Sequence, residues 1–274
     1  MKNLIIRSIT GIVFVAVIVA ACIHIYGFLI LFTLITGLVL WEFYGLTGLK
    51  GWRKAMGISG GMYLFTATFF YAGGYVPDYV YLPYLCFLLF FLISGLYLKK
   101  ACPVNNWALE LFAQFYCAGL FALLNFVAFN YSGTLPDYRP HYILLIFMYV
   151  WLNDTGAYLI GSTFGKHRLF PRISPLKSWE GFWGGWAVTV ISSLFFARYC
   201  PAIFQEWYHW PALAVIVVVF GTWGDLVESL IKRTYGVKDS GTLLPGHGGI
   251  LDRLDGVILA SPAVYVYMEC FIRN

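Results

Sequence analysis

Trp210-Pro-Ala-Leu-Ala-Val-Ile-Val-Val-Val-Phe-Gly221-Thr-Trp-Gly224-Asp225-Leu-Val-Glu228 is an apolar run of bilayer-spanning length that ends in two carboxylates. A hydrocarbon core of about 30 Å needs roughly 20 apolar residues per helix. The same count finds stretches at 4–25, 27–46, 57–76, 79–98, 107–130, 142–163, 179–200 and 254–272, besides 210–228. The chain therefore reads as an all-α, polytopic membrane protein with about nine transmembrane helices. Composition agrees. Of 274 residues 60% are hydrophobic and 11% charged, against roughly a quarter charged in soluble domains. That much apolar side chain needs lipid as its solvent.

The first stretch, flanked by Lys2 and Arg7, runs on to Ile25 without a small-residue cleavage site, so it reads as a retained helix. Cysteines at 22, 86, 102, 117, 200 and 270 form no CxxC pair, which excludes a zinc module and gives no disulfide framework.

Orientation follows from Lys and Arg positions. With a cytoplasmic N-terminus, fifteen of the eighteen basic residues fall on the inner side, among them Lys50, Arg53, Lys54, Lys99 and Lys100. Only Arg139, Arg198 and Arg273 fall outside. Trp52, Trp107, Trp151, Trp179, Trp207 and Trp210 lie near the proposed span ends, as interfacial anchors do.

Two regions differ in character. Residues 1–150 cover spans one to five and the start of span six, with Glu42 and Glu110 as their main intramembrane charges, and read as scaffold. Residues 151–274 cover spans six to nine, with cytoplasmic loops at 164–178 and 229–253, and hold nine of the 13 acidic residues. An ionisable side chain at membrane depth usually faces a polar cavity or a partner. The chemistry is therefore expected there.

Asp225, Glu228, Ser229 and Lys232 recur at helical spacing and share one face, opposite Leu226, Val227, Leu230 and Ile231. A Glu228–Lys232 ion pair at i, i+4 would explain two of them but not Asp225. The loop that follows carries Lys238, Asp239 and the run Gly246-His247-Gly248-Gly249. Its glycines free backbone N–H groups to turn toward an anion, and Lys232, Arg233 and Lys238 lie beside it. Asp252-Arg253-Leu254-Asp255 opens the last span. Those two acids suit either helix capping or, with Asp225, a hard cation and phosphate. His247 suits an acid–base or a hydrogen-bonding role.

The other polar stretch holds Asp154 in span six, then Lys166, His167, Arg168, Arg172, Ser174, Lys177, Ser178 and Glu180. Its basic residues fit a positive-inside loop, but Asp154 and the serines exceed that account. Ser178 also suits a cap for span seven, and Gly181, Gly184 and Gly185 suit close helix packing. Gly161-Ser-Thr-Phe-Gly165-Lys166-His167 has neither the spacing nor the hydroxyl of a P-loop, and no GxGxxG follows a strand.

These residues resemble a known family, the CDP-diacylglycerol synthases (phosphatidate cytidylyltransferases). The family's S-x-x-K-R, four residues, K-D and H-G-G-x-x-D-R-x-D elements are matched by Ser229 to Arg233, Lys238-Asp239 and His247 to Asp255. A second block, D-[ST]-x-A-Y followed by S-P-x-K-T-x-E-G, resembles Asp154 to Tyr158 and Ser174 to Gly181, with Ser178 where threonine is usual.

The resemblance implies a nine-helix, dimeric enzyme of the inner membrane with its active site toward the cytoplasm. The reaction would convert CTP and phosphatidate to CDP-diacylglycerol and pyrophosphate, with the bilayer as partner and no nucleic acid. It implies Mg2+ on Asp225 and Asp252, with a monovalent cation such as K+ as the candidate second ion. Asp225, Asp252, Asp255, Lys232 and Lys238 become the expected catalytic set. Asp154, Lys166, Ser174, Lys177, Ser178, Glu180, Ser229, Arg233, Asp239, His247, Gly248, Gly249 and Arg253 become the expected substrate contacts. Competing readings are another phosphate-headed lipid as acceptor, a CTP-dependent lipid kinase, or an ion-coupled transporter. Polarity gathered at one membrane face, without a repeat in the other half, speaks against the transporter.

Overall fold

The computed structural model describes residues 2–97, 103–131, 136–204, 206–246 and 248–273. Lys99, Lys100, Cys102 and His247, and the side chains of Lys2 and Arg7, lie outside the described residues. In chain order the helices are α1 (Lys2–Ile23), α2 (Ile25–Leu46), α3 (Trp52–Ala72), α4 (Leu82–Gly95), α5 (Pro103–Ala113), α6 (Leu120–Ala122), α7 (Leu124–Ala128), α8 (Pro140–Phe164), α9 (Trp179–Tyr199), α10 (His209–Thr234) and α11 (Leu251–Phe271). Two short antiparallel hairpins join them: β1 (Phe129–Asn130) with β2 (Asp137–Tyr138), and β3 (Arg168–Phe170) with β4 (Ser174–Ser178).

Among the described residues, six helical segments are long and apolar enough to cross a membrane: Ile25–Leu46, Asp78–Gly95, Val104–Ala128, Pro140–Phe164, His209–Thr234 and Leu251–Phe271. The protein is thus all-α and polytopic. Helices α1, α3 and α9 fill other stretches expected to span but do not reach that measure. The apolar part of α1 is Ser8–Ile23, and α3 opens on Arg53-Lys54 and carries Gly57, Gly60 and Gly61.

The chain forms two compact units, Met1–Pro140 with Asp239–Arg253, and His141–Lys238 with Leu254–Asn274. In the first, α2 packs on α3, and Phe28, Phe32, Phe65, Phe69 and Phe121 form a buried aromatic cluster. Between α5 and α6 one turn widens to a π-helix, Gln114–Gly119. It carries the Gln114 amide inward to donate to the Gly57 carbonyl (2.7 Å) and the Tyr44 hydroxyl (2.9 Å). Arg53, counted by sequence among the inner charges, is only 4% exposed. Its Nε donates to Glu110 Oε1 at 2.6 Å, Nη2 pairs with Glu110 Oε2, and Nη1 donates to Ser94 Oγ at 2.8 Å.

In the second unit α8 and α9 touch backbone to backbone. A Cβ on Gly156 would lie 3.0 Å from the Gly185 Cα, and one on Gly161 3.2 Å from the Gly181 Cα. Small residues at such a crossing let van der Waals contact drive association in lipid. Gly221, Gly224 and Gly256 do the same for α10 and α11, where a Cβ on Gly256 would lie 3.3 Å from the Gly221 carbonyl.

Two expected loops are more ordered than the sequence suggested. Residues 168–178 form the β3–β4 hairpin. Residues 229–234 continue α10, because Lys232 and Arg233 in its last turn complement the helix dipole. Gly236, at φ +70°, then ends it, with its N–H on the Arg233 carbonyl and the Val237 N–H on the Lys232 carbonyl. Residues 239–253 pack with the N-terminal helices.

Glu110→Ala should strip a buried guanidinium of its partner and lower stability by about 3–5 kcal/mol. A fall in the detergent melting midpoint measures it, and Arg53→Met combined with Glu110→Leu should recover most of the loss.

Candidate active site

The polar face read from α10 exists, and it points inward. Glu228 is fully buried, and Ser229 and Lys232 are each 9% exposed, while Trp223 and Leu230 lie outward. Lys232 Nζ meets Glu228 Oε2 at 2.5 Å, so that pair is the internal ion pair that the spacing allowed. Asp225 takes a partner that helix periodicity does not show. Its Oδ2 is paired with Lys177 Nζ from β4, and its Oδ1 accepts from Ser229 Oγ at 3.2 Å. Asp255 on α11 accepts from the Gly256 N–H at 2.6 Å and lies in the field of Asp225, Glu228, Asp154 and Lys177.

Four carboxylates thus share this region with two lysines. An excess of acid suits a divalent cation. Among the described residues no three metal-ligating side chains converge. Mg2+ does not need that, since it binds through one or two carboxylates plus substrate phosphates. The donor set fits a cation that shares its shell with a substrate.

Beside the acids lies a cavity of about 520 Å3, walled by α8, the start of α9, the hairpin and Thr222 of α10. Asp154, Lys177 and Ser178 of the expected residues line it, together with Tyr158, Ser162, Arg168 and Phe182. The Asn153 amide donates to Thr222 Oγ1 at 3.4 Å, near the middle of two spanning helices. The cavity therefore reaches from mid-span to the hairpin.

The hairpin is held by residues expected to touch substrate. Ser178 Oγ accepts from the Gly181 N–H at 3.1 Å as the N-cap of α9. Glu180 accepts from the N–H groups of Lys166 and His167, each at 3.2 Å, and meets His167 Nδ1 at 2.6 Å. Arg233 donates to the Ile173 carbonyl at 3.3 Å and the Val237 carbonyl at 3.2 Å. Ser174 pairs with Phe170 at the start of β4. Lys166 and Lys238 are exposed.

Asp239, Gly248, Gly249, Asp252 and Arg253 belong to the first unit; Asp239 and Arg253 are exposed there. The glycine-rich loop does not offer all its N–H groups outward. Asp252 Oδ2 accepts from Gly249 at 2.7 Å and Ser240 at 2.9 Å. Glu42 of α2, read from sequence as scaffold, accepts from Ile250 at 3.0 Å and Leu251 at 2.9 Å, and from Ser240 Oγ at 3.0 Å. A sequence signal existed: Ile250 has no acceptor to cap the helix it precedes, and Glu42 is an acid in an apolar span. Nothing in the sequence joins the two. Arg168 and Ser162, outside the expected set, also line the cavity, the first from the hairpin and the second from α8.

The sequence profile of the cytidylyltransferase family matches residues 5–271. Two similar proteins, both named phosphatidate cytidylyltransferase, come from Staphylococcus saprophyticus and Staphylococcus aureus. The first is 44% identical over 142 residues, 52% of this chain and 54% of that protein. The second is 48% identical over 128 residues, 47% of this chain and 49% of that protein. The chain thus spans about half the length of the curated relatives it matches.

Gly249 has no room for a side chain, since a Cβ would collide with Ser240 Oγ and Glu42 Oε2. Gly249→Ala should therefore cost about 1–3 kcal/mol by overpacking, read as a lower melting midpoint. Gly236→Ala, which meets no atom within 4 Å, should be milder and reflect only its positive φ.

Proposed function

The chain belongs to the cytidylyltransferase family, and on that premise we propose that it transfers a cytidylyl group from CTP to phosphatidate. The products are CDP-diacylglycerol and pyrophosphate. The observation that carries this reading is the Lys177–Asp225 pair at the wall of a cavity reaching mid-span. A lysine and a carboxylate there support a phosphate and a cation site within reach of a lipid. The name carried by the staphylococcal relatives supports the choice of substrates.

Charge decides which substrate suits the cavity. Arg168 and Lys177 are offset by Asp154 and Asp225. A phosphomonoester adds less negative charge to that balance than a triphosphate of about −4, and the Tyr158, Leu176 and Phe182 side chains in the wall suit a lipid. The cavity is read as the lipid site. Arg168 and Lys177 orient the lipid phosphate, Ser162 donates a hydroxyl, and Tyr158, Leu176 and Phe182 flank the glycerol and upper acyl chains.

A phosphate oxygen of the lipid attacks the α-phosphorus of CTP; the new O–P bond forms as the bond to the β-phosphate oxygen breaks. The attacking phosphate is already an anion, so no strong general base is needed. Lys232, Lys238 and Arg253 are assigned to the triphosphate and the departing pyrophosphate. Mg2+, with K+ as the candidate second ion, would neutralise charge developing on the phosphates. Asp225 is its proposed residue in the second unit, and Asp252 is the one the motif match adds.

The same reading includes nine crossings with a cytoplasmic N-terminus, since fifteen of eighteen basic residues then lie inside. It places the protein in the cytoplasmic (inner) membrane, with its active site toward CTP, as a homodimer.

Purified protein given [α-32P]CTP and phosphatidate should label the lipid and release pyrophosphate; label entering only from the γ position would instead mark a kinase. Asp225→Asn should abolish metal-dependent transfer while the protein stays folded. Arg168→Gln should raise KM for phosphatidate about tenfold or more, as loss of a charge-assisted contact does, and leave KM for CTP within twofold. A rise in the CTP KM alone would place the nucleotide in the cavity.

A further inference from the structure

Helix α11 begins after a residue that cannot cap it through its side chain. Ile250 precedes its first residue and carries no acceptor, so the N–H groups of the opening turn need oxygen from elsewhere. Glu42, 5% exposed on α2, supplies it. One carboxylate oxygen accepts from Ile250, and the other accepts from Leu251 and from the Ser240 hydroxyl.

The neighbouring N–H, from Gly249, goes to Asp252, and Asp252 also accepts from the Ser240 N–H. Three successive backbone donors, at 249, 250 and 251, are thus divided between two acids. Ser240 touches both, through its N–H to Asp252 and its hydroxyl to Glu42.

The loop is shaped around the Glu42 carboxylate. A Cβ on Gly241 would lie 2.5 Å from Glu42 Oε1, and one on Gly249 would collide with Glu42 Oε2. A Cβ on Gly248 would lie 2.7 Å from Asp252 Oδ2. The chain cannot shift against Glu42 without moving the donors that orient Asp252.

We infer that Glu42 is a positioning residue for Asp252: it fixes the backbone donors that aim the Asp252 carboxylate at a divalent cation. The N-terminal helices therefore contribute to the reaction through Glu42, and are more than a scaffold. This rests on the cytidylyl-transfer reading for its catalytic consequence but not for its cation-binding one.

The test uses full-length protein in detergent, with Mn2+ as the probe. Mn2+ binding is followed by electron paramagnetic resonance, beside the Mg2+ concentration for half-maximal transfer and the melting midpoint. Glu42→Ala should weaken Mn2+ binding roughly tenfold or more, as loss of an outer-shell partner does. Glu42→Gln, which keeps one acceptor oxygen, should fall between it and wild type. Ser240→Ala, which removes only the hydroxyl bridge, should show the smallest loss.

KM for phosphatidate should stay within twofold of wild type in all three. Unchanged Mn2+ and Mg2+ affinity in the variants that fold, with only the melting midpoint lowered, would reduce Glu42 to a helix cap and overturn the inference. If Glu42→Ala does not fold, Glu42→Gln and Ser240→Ala decide. Graded Mn2+ losses in a protein that transfers no label would sink the function proposed above and leave this inference standing.

Discussion

The carboxylate of Glu42 is the acceptor on which the segment 239–253 is built. Its partners lie 198 to 209 residues away along the chain, yet each side answers a cost the other carries. An ionised glutamate in an apolar span is expensive unless donors reach it. The opening N–H groups of α11 are equally exposed without an acceptor. Hydrogen bonds to a charged group contribute about 1.5–3 kcal/mol each, and Glu42 makes three. That contact explains why a C-terminal loop belongs to the compact unit of the N-terminal helices.

The same constraint acts in the second unit through different chemistry. Asp225 is met by Lys177 and Ser229, and Glu228 by Lys232. Lysine from a hairpin can reach Asp225 only if the helices around it approach closely. The glycine contacts of α8 with α9 and of α10 with α11 permit that approach. Lipid offers no hydrophobic drive between apolar helices, so packing at small residues and polar contacts hold such a bundle. Glycine and charge are here parts of one solution.

The electrostatic consequence is a region rich in acid that alternates with a few fixed lysines. Such a region repels a free polyphosphate and attracts a cation, and a cation bound there turns the local field toward phosphate. On the function proposed above, metal, nucleotide and lipid phosphate would therefore depend on one another. Residues that hold the hairpin, Ser178, Glu180 and Arg233, serve this arrangement by keeping Lys177 and Arg168 at the cavity.

That the chain is helical and bound to a membrane follows from the amino-acid order alone, because apolar run length and charge scarcity leave no other solvent for these side chains. That order also sets the inward face of α10, since Asp225, Glu228, Ser229 and Lys232 follow the helical period. The partners of these side chains come from the fold. Lys177 reaches Asp225 from 48 residues away, and Glu42 caps a helix more than 200 residues on. Periodicity reports contacts within a turn or two, whereas these bonds depend on which helix backbones can touch. That is set by glycines: Gly181, Gly184 and Gly185 read from sequence as packing positions, but nothing in the sequence names the helix each one meets. The loop glycines show the same limit: by composition they resemble a phosphate nest, but packing gives the Gly249 N–H to Asp252, and the empty Cβ positions of Gly241, Gly248 and Gly249 to Glu42 and Asp252.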